Sequence, residues 1–284
     1  MRFGLSFPNF GTYAEPSTVV SMAVAAERAG WEGFFLWDHI VVADGMPVAD
    51  PIVLLGAIGQ ATTSIKLGPM ILALPRHRPW VVGRQAATVD RLTGGRLILG
   101  VGIGYPPEVE FGTFGDPTDA RKRADMLDES LSVITGMWGA DAFEFAGDHY
   151  TVHRNRFEPS PVQVPRIPIW VAGMLPNLRP FRRAARFDGV FPIRSDMRDL
   201  TPGEVAKVVE YVRRHRDTDA AFDVVVGGPI DVDLSALQQA GVTWYLAGPS
   251  PEGESIDHTL AWIGQGPPTQ DSLRGQGPFG GESL

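Results

Sequence analysis

Asp38 and His39 stand directly after a short apolar run, Gly33–Trp37, and their types and position point to proton chemistry. The run follows a helical pattern that ends at Gly30, so it is predicted to be a strand in an alternating α/β arrangement. In a parallel α/β barrel, catalytic groups are assembled at the carboxyl ends of the strands. We therefore expect His39 to bind a substrate hydroxyl or carbonyl and to move its proton, because imidazole offers donor and acceptor forms near neutral pH.

Both residues also have simpler interpretations. His39 could be a loop histidine that is hydrogen-bonded to its own surroundings. Asp38 could orient His39, accept a hydrogen bond from a cofactor ring, or satisfy the backbone amides of a turn. The sequence leaves these alternatives open.

The elements that must position this pair alternate along the chain between strand and helix patterns. Eight strands are predicted, at Arg2–Pro8, Gly33–Trp37, Lys66–Leu72, Leu97–Gly102, Ile169–Ala172, Gly189–Pro192, Asp223–Val226 and Thr243–Leu246. The main helices are predicted at Ser17–Gly30, Asp50–Thr62, Trp80–Thr93, Asp119–Trp138, Leu178–Phe187 and Ile256–Ile263, with a further one around Val205–Val212. This pattern favours an α/β fold of the closed (β/α)8 TIM-barrel type.

An open doubly wound sheet is the rival architecture. The glycines at 100, 102 and 104 are evenly spaced, and Tyr105 and Pro107 leave no place for the third glycine of a dinucleotide fingerprint. The barrel is interrupted before its fifth strand, where Phe143–Phe145 and His149–Val152 flank a predicted hairpin turn. We expect one barrel domain over residues 1–263 and a disordered Gly/Pro-rich tail over residues 264–284.

Composition excludes several functional classes. The net charge of −8 argues against nucleic acid and anionic membrane surfaces as partners. The absence of cysteine excludes disulfides, thiolate metal sites and cysteine nucleophiles. No stretch is long and apolar enough to span a bilayer, and the N-terminus does not have a signal-peptide pattern, so a cytoplasmic location is expected.

Several segments together resemble the bacterial luciferase-like monooxygenase family, which includes deazaflavin-dependent reductases and dehydrogenases. The segments are Arg2–Phe10, Asp38-His39, Gln85–Leu97, Gly100–Gly104, His149–Thr151, Phe157–Pro168 and Asp188-Gly189. The resemblance runs from residue 1 to about residue 195 and implies a barrel oxidoreductase with a small organic substrate. It also implies a homodimer.

The resemblance further implies where the cofactor would bind. A bulge with a cis peptide bond would support the ring at Pro69–Met70, with a cis Gly68–Pro69 bond or a plain strand as alternatives, and Leu72 would lie within reach. Ile103 and Gly104 match positions near the cofactor. The segment that follows the fifth strand and opens a helix, Ala172, Gly173, Met174 and Leu175, matches the loop that holds the cofactor phosphate.

Three further positions refine this interpretation. Tyr105 stands where deazaflavin-dependent sugar-phosphate dehydrogenases carry a carboxylate proton donor, which disfavours that activity. Arg76-His77-Arg78 could meet a phosphate or an anionic substrate, but an exposed polar loop before a helix explains it slightly better. His149 and His153 lack a third ligand, so no metal site is predicted.

These observations favour hydride transfer with the deazaflavin coenzyme F-420, in which His39 handles the proton and Asp38, Pro69, Met70, Leu72, Ile103 and Gly104 contact the cofactor ring. The nearest alternative is a monooxygenase that uses reduced FMN and oxygen. A hypothesis from another class is a flavin-binding barrel protein without catalytic activity.

Overall fold

The computed structural model of the chain describes residues 1–229, 232–249 and 255–269. It divides into two compact units. The first unit comprises Met1–Phe7, Ser21–Phe35 and the chain from Trp170 onward, and the second comprises Pro8–Val20 and Leu36–Ile169. The tail predicted over residues 264–284 falls largely on residues 270–284, which lie outside the described residues.

Strands and helices alternate along the described chain as predicted. The strands are Arg2–Phe7 (β1), Gly33–Leu36 (β2), Lys66–Pro69 (β3), Leu72–Ala73 (β4), Leu99–Gly102 (β5), Phe143–Ala146 (β6), Thr151–Asn155 (β7), Ile169–Leu175 (β8), Gly189–Arg194 (β9), Asp223–Gly228 (β10) and Trp244–Ala247 (β11). The α-helices are Pro16–Ala29 (α1), Pro51–Ala61 (α2), Pro79–Leu92 (α3), Pro107–Glu110 (α4), Ala120–Met137 (α5), Arg179–Ala184 (α6), Pro202–Arg213 (α7), Leu234–Gln239 (α8) and Ile256–Gly264 (α9).

The first unit contains a run of parallel strands. β1 pairs with β11, β11 with β10, β10 with β9, and β9 with β8. Three aromatic rings pack in its core, with ring centroids 5.4 Å apart for Phe35 and Trp170, 5.5 Å for Trp170 and Trp244, and 6.0 Å for Phe35 and Trp244. Parallel strands buried on both faces read as continuous apolar runs, which explains why these segments were recognisable in the sequence.

In the second unit, the predicted third strand is divided into β3 and β4. The break lies at Met70–Ile71, where the peptide bond is cis. Both predicted positions for this bond, Pro69–Met70 and Gly68–Pro69, were therefore wrong. Strand geometry continues through Pro69, and the Met70 N–H still donates to the Leu36 carbonyl oxygen at 2.6 Å, so the irregular bond falls one residue later.

The segment Gln85–Leu97, the most specific part of the family resemblance, has a structural role in this unit. The buried Asp90 carboxylate accepts hydrogen bonds from the backbone N–H of Val162 and from the backbone and side chain of Gln163. Arg96 is also buried and donates to the carbonyl oxygens of residues 59, 62, 65 and 93 and to the hydroxyl of residue 62. These contacts tie α2, α3 and the chain before β8 together.

The predicted insertion before the fifth barrel strand is confirmed as the antiparallel hairpin β6–β7. Its turn is held by Glu129 of α5, whose carboxylate accepts backbone N–H bonds from Asp148, His149 and Tyr150 at 2.7 to 3.0 Å. One half-buried carboxylate therefore accepts all three of these backbone N–H groups and fixes the turn.

Candidate active site

The backbone of His39 is held by the buried side chain of Asn9. The Asn9 Oδ1 accepts from the His39 N–H at 3.0 Å, and its Nδ2 donates to the carbonyl oxygens of His39 and Ala49 at 2.8 and 2.7 Å. A buried amide that uses both its donor and its acceptor in this way specifies one backbone geometry. The loop that follows β2 is therefore fixed at the residue predicted to be catalytic.

The His39 imidazole is held at one nitrogen. Its Nδ1 lies 2.8 Å from Oε1 of Glu110, whereas Nε2 has no hydrogen-bond partner among the described residues. The ring packs edge-on against Phe10 at 5.3 Å and lies 6.0 Å from the ring of Trp37. The side chain as a whole is 23 % exposed, so part of the ring is open to a ligand.

Behind His39 lies a buried charge network that we call the Arg76 network, formed by Asp38, Arg76 and Glu110. Arg76 pairs with Oε2 of Glu110 through Nη1 and with Oδ2 of Asp38 through Nη2, the latter at 2.8 Å. The side chains of all three residues are at most 5 % exposed. Buried carboxylates are tolerated only when they are paired in this way.

Asp38 faces away from His39. Its Oδ2 accepts from the Ala73 N–H at 2.9 Å and lies 3.3 Å from Nε2 of His77. Burial disfavours the charged carboxylate, but the His77 hydrogen bond and the Arg76 charge outweigh it and lower the pKa of Asp38 below its usual value. The carboxylate that contacts the His39 ring is therefore Glu110 and not Asp38, and the cofactor contact of Asp38 stays a prediction.

The expectation of an exposed polar loop at Arg76-His77-Arg78 was wrong for its first residue. Arg76 is buried because two carboxylates, from the loop after β2 and from α4, converge on it. Arg78 does extend outward, with its guanidinium carbon 5.9 Å from the ring centre of Trp80. Arg76 and His77 thus both contact Asp38, and Arg76 joins the site through pairing within the protein.

The segment that leaves β5 is anchored from beneath. Arg123 of α5 donates through Nη1 to the carbonyl oxygens of Ile103 and Gly104 at 2.6 and 2.8 Å, and burial lowers the pKa of Arg123. Gly104 has φ +78°, and a Cβ there would lie 2.7 Å from the Phe111 ring. Ile103 and Gly104 stay half-buried at this exit, and their contact with the cofactor remains a prediction.

At the bulge, the residues predicted to contact the ring are covered by protein. Met70 is buried, as are Pro69 and Leu72, whereas Ile71 is half-exposed. Any surface that the bulge offers to a ligand is therefore presented mainly by Ile71 and the backbone around it. The contacts proposed for Pro69, Met70 and Leu72 stay predictions.

In the first unit, the predicted phosphate loop is a strand. Ala172, Gly173, Met174 and Leu175 belong to β8, and the pairing with β9 extends to Leu175 opposite Arg194. The expectation that these residues open a helix was wrong, because α6 begins only at Arg179 and packs so closely that a Cβ on Gly173 would meet Phe181 at 2.7 Å. Their role towards a phosphate stays a prediction.

A cavity of about 610 Å³ adjoins the end of β8 in the same unit. Its polar wall includes a second arginine between two carboxylates, which we call the Arg194 network. Arg194 donates to Asp196 at 2.7 and 2.8 Å and to Glu204 at 2.6 Å. Its charge is thereby balanced within the wall.

Two features that would bear on function are absent from the described residues. None of their helices is long and apolar enough to cross a membrane. They also contain no cluster of three or more His, Asp or Glu side chains placed to hold a metal ion.

Sequence reasoning missed Asn9, Glu110 and, in part, Arg76. One signal for Glu110 was available: it follows the exit of a barrel strand, in the segment Pro106–Phe111, where catalytic side chains collect. Tyr105, which directly precedes this segment and is half-exposed in the structure, was considered at this strand exit, and Glu110 was not. Asn9 offered no signal beyond its place after β1.

Parallel strands alternating with helices, and a histidine held at the exit of the second strand, are typical of barrel enzymes. The sequence identifies the family. The profile of the luciferase-like monooxygenase family matches residues 1–250, so the chain belongs to that family. The predicted enzyme class, an oxidoreductase or monooxygenase, is confirmed at this level.

Two relatives illustrate the sequence likeness. An uncharacterised protein of Mycobacterium tuberculosis is 30 % identical over 266 residues, which cover 84 % of this chain and 88 % of the relative. An F420-dependent glucose-6-phosphate dehydrogenase of Nakamurella multipartita is 31 % identical over 175 residues, covering 58 % of this chain but only 50 % of the relative.

Two solved structures show the fold. An F420-dependent secondary alcohol dehydrogenase, in complex with an F420–acetone adduct, has a TM-score of 0.78 and 16 % identity, covering 96 % of this chain and 99 % of its own. The FMN-bound oxygenating constituent of 3,6-diketocamphane monooxygenase from Pseudomonas putida has a TM-score of 0.66 and 21 % identity, covering 81 % and 67 %. The predicted fold class, a TIM barrel, is thereby confirmed.

Proposed function

We propose that this chain is a deazaflavin-dependent oxidoreductase that transfers hydride between coenzyme F-420 and the hydroxyl- or carbonyl-bearing carbon of a small organic substrate. One observation carries the proposal: His39 is held at Nδ1 by a buried carboxylate, while its side chain is 23 % exposed and its Nε2 has no partner in the described chain. A histidine held in this way is suited to receive a substrate proton.

The residues around His39 fit an organic redox cofactor. The carboxylates of Asp38 and Glu110, which could otherwise serve as ligands for a cation, are taken up by Arg76, and the walls beside His39 are the aromatic rings of Phe10 and Trp37. When bound, the deazaflavin supplies or accepts the hydride. Ile103, Gly104 and the Met70–Ile71 bulge are the groups of this unit that we propose to hold its ring.

The chain's own residues would handle the proton. In the oxidation direction, Nε2 of His39 takes the proton of the substrate hydroxyl as hydride leaves the carbon that carries this hydroxyl. In the reduction direction, the imidazolium returns that proton to the carbonyl oxygen, and Glu110 stabilises the charged ring. Phe10 and Trp37 exclude water from one side of the imidazole, which suits an uncharged substrate better than a sugar phosphate. Tyr105, at the position discussed above, agrees with this choice.

The share of each solved chain that is matched supports a deazaflavin over FMN. The alcohol dehydrogenase matches along almost its whole length, whereas the match to the FMN-bound monooxygenase leaves about a third of that chain uncovered. The family name and that second structure favour one further candidate, an FMN-dependent monooxygenase. We also propose a homodimer, from the family resemblance, and a cytoplasmic location.

The test is parallel titration of the purified protein with F-420 and with FMN, followed by cofactor fluorescence. We expect micromolar or tighter binding of F-420 and weaker binding of FMN. Hydride transfer with small alcohols and ketones should then fall by a factor of about 100 or more in His39→Ala, because general acid–base catalysis contributes that much. His153→Ala, on the exposed hairpin strand, is the matched control and should retain activity.

The other outcomes decide against the proposal. Preference for FMN, with oxygen consumption, would replace it with the monooxygenase. Binding of neither cofactor would leave the catalytically idle barrel as the better description. Full activity in His39→Ala would remove His39 from the mechanism.

A further inference from the structure

Glu110 meets three groups, and two of them can only donate. Its Oε2 accepts from the Arg76 guanidinium and from the Ile40 backbone N–H at 3.2 Å, and its Oε1 faces Nδ1 of His39 at 2.8 Å. A guanidinium and a backbone N–H can only donate, so a proton on Oε2 would have no acceptor in either of them. The buried carboxylate is therefore an acceptor on that side.

Arg76 is the charged partner of Glu110. Arg76 stands directly behind it, and the second carboxylate that faces Arg76, Asp38, lies on the opposite side of the guanidinium and contacts His77 instead of His39. An ionised carboxylate accepts hydrogen bonds and does not donate them. The proton in the contact between His39 and Glu110 then resides on Nδ1.

We propose that Glu110 is a positioning residue that fixes the neutral His39 ring in its Nδ1–H tautomer, which leaves the lone pair on Nε2, the exposed nitrogen. Arg76 keeps Glu110 in the acceptor state that this requires. The consequence for catalysis rests on the proposed function, in which Nε2 takes the substrate proton. The tautomer itself is a property of the protein and does not depend on that function.

The variant Glu110→Gln separates this role from simple packing. The glutamine oxygen pairs best with Arg76, which can only donate, so its NH₂ group must face His39. An NH₂ group donates to Nδ1, and the ring proton must then move to Nε2. The variant keeps the size of the side chain but reverses the tautomer.

The experiment is ¹⁵N NMR of histidine-labelled protein at about pH 9, where an ordinary imidazole is neutral. The shifts of the two ring nitrogens distinguish the protonated from the unprotonated one, and the His39→Gln variant assigns the signals. We expect the Nδ1–H tautomer for His39 in the unmodified protein and the Nε2–H tautomer in Glu110→Gln. The control is Glu129→Gln, the same change in a carboxylate that holds the hairpin turn, which should leave His39 unchanged.

The unmodified protein alone can overturn the inference, so it does not depend on the folding of a variant. An Nε2–H tautomer for His39 in that protein would refute it, as would an unchanged tautomer in a folded Glu110→Gln.

In turnover, we expect Glu110→Gln to lower kcat by about 10- to 100-fold with little change in KM, the size typical of lost orienting partners. A purely structural role would not reverse the tautomer. The tautomer result and cofactor binding fail independently: a correct tautomer without F-420 binding would refute the proposed function and leave this inference intact.

Discussion

Two networks in the described part of the chain have the same charge arrangement, an arginine between two carboxylates, in different settings. In the Arg76 network all three side chains are at most 5 % exposed, and one carboxylate holds His39. In the Arg194 network the side chains are 26 to 44 % exposed, and they line the wall of a cavity. The same pairing pattern therefore does not imply the same contribution to stability, because exposure to solvent determines how much each ion pair contributes.

The difference arises from what happens when one partner is removed. A buried ion that loses its partner cannot recover its hydration, whereas an exposed one is solvated at once. The Arg76 network should therefore behave as a unit that both holds the fold and orients His39. The Arg194 network should behave as separate surface charges.

The largest expected effect is that of Arg76→Met. It leaves Asp38 and Glu110 buried without their shared cation, and breaking a buried ion pair in this way costs about 3–5 kcal/mol. Urea unfolding at neutral pH measures the loss. Arg76→Lys keeps the charge but has a single ammonium group in place of the two-sided guanidinium, so an intermediate loss is expected. A loss for Arg76→Met below about 1 kcal/mol, the size found for surface pairs, would contradict the distinction between the two networks.

A second, smaller effect concerns Asp38 and pH. The pKa of Asp38 is lowered in the folded protein, so its contribution to stability is present above the unfolded value and is lost as pH falls through the folded value. Asp38→Asn should cost about 2 kcal/mol near neutral pH, the size of hydrogen bonds to a charged group. The gap between the two proteins should narrow below about pH 4.

Unfolding free energies of both proteins, measured from neutral to acidic pH, test this. A gap that stays constant with pH would show that Asp38 contributes by packing and not by its charge. Asp196→Asn, in the exposed network, is the matched variant, and its gap should disappear on addition of salt.

The two networks also show what the sequence could and could not reveal. The strands were readable because parallel strands give continuous apolar runs with turn residues between them. His39 was readable because it follows such a run. Glu110 was not readable as the partner of His39, nor Arg76 as the partner of Glu110, because these pairs are 71 and 34 residues apart in sequence and only the fold brings them together. By contrast, Arg194 and Asp196 are sequence neighbours, yet their proximity carries little functional information.

The errors have the same physical origin. The cis bond was placed one residue too early because hydrogen bonding between strands, which the sequence does not show, continues past Pro69 as far as Met70. The segment Ala172–Leu175 was predicted to open a helix. This was wrong because the pairing of β8 with β9, which the sequence does not show, continues to Leu175. Local patterns predicted the elements, while the ends of the elements depended on neighbours distant in sequence.

A third prediction concerns the carboxylate that links the Arg194 network to a helix. Glu204 also forms a capping box with Thr201 at the start of α7, where the Thr201 N–H and hydroxyl donate to it at 2.9 and 2.8 Å. Thr201→Ala should cost about 1 kcal/mol, measured by thermal or urea unfolding. Ser255→Ala is the control. It removes a cap of α9 that consists of one hydrogen bond, from the His258 N–H to the Ser255 hydroxyl, and it should cost less.

The smallest effect is expected for Arg194→Met. The Thr201 hydrogen bonds that lower the pKa of Glu204 remain, and Asp196 is free to be hydrated when its partner is lost. The unfolding midpoint should therefore change little at low ionic strength. It should not change at all in about 1 M salt, where the screening length falls to about 3 Å. Urea unfolding of Arg194→Met and Arg76→Met at both salt concentrations compares the networks directly, because only the buried one should keep its effect. A salt-resistant loss in Arg194→Met would mean that the wall of the cavity, like the support of His39, depends on one arginine held between two acids.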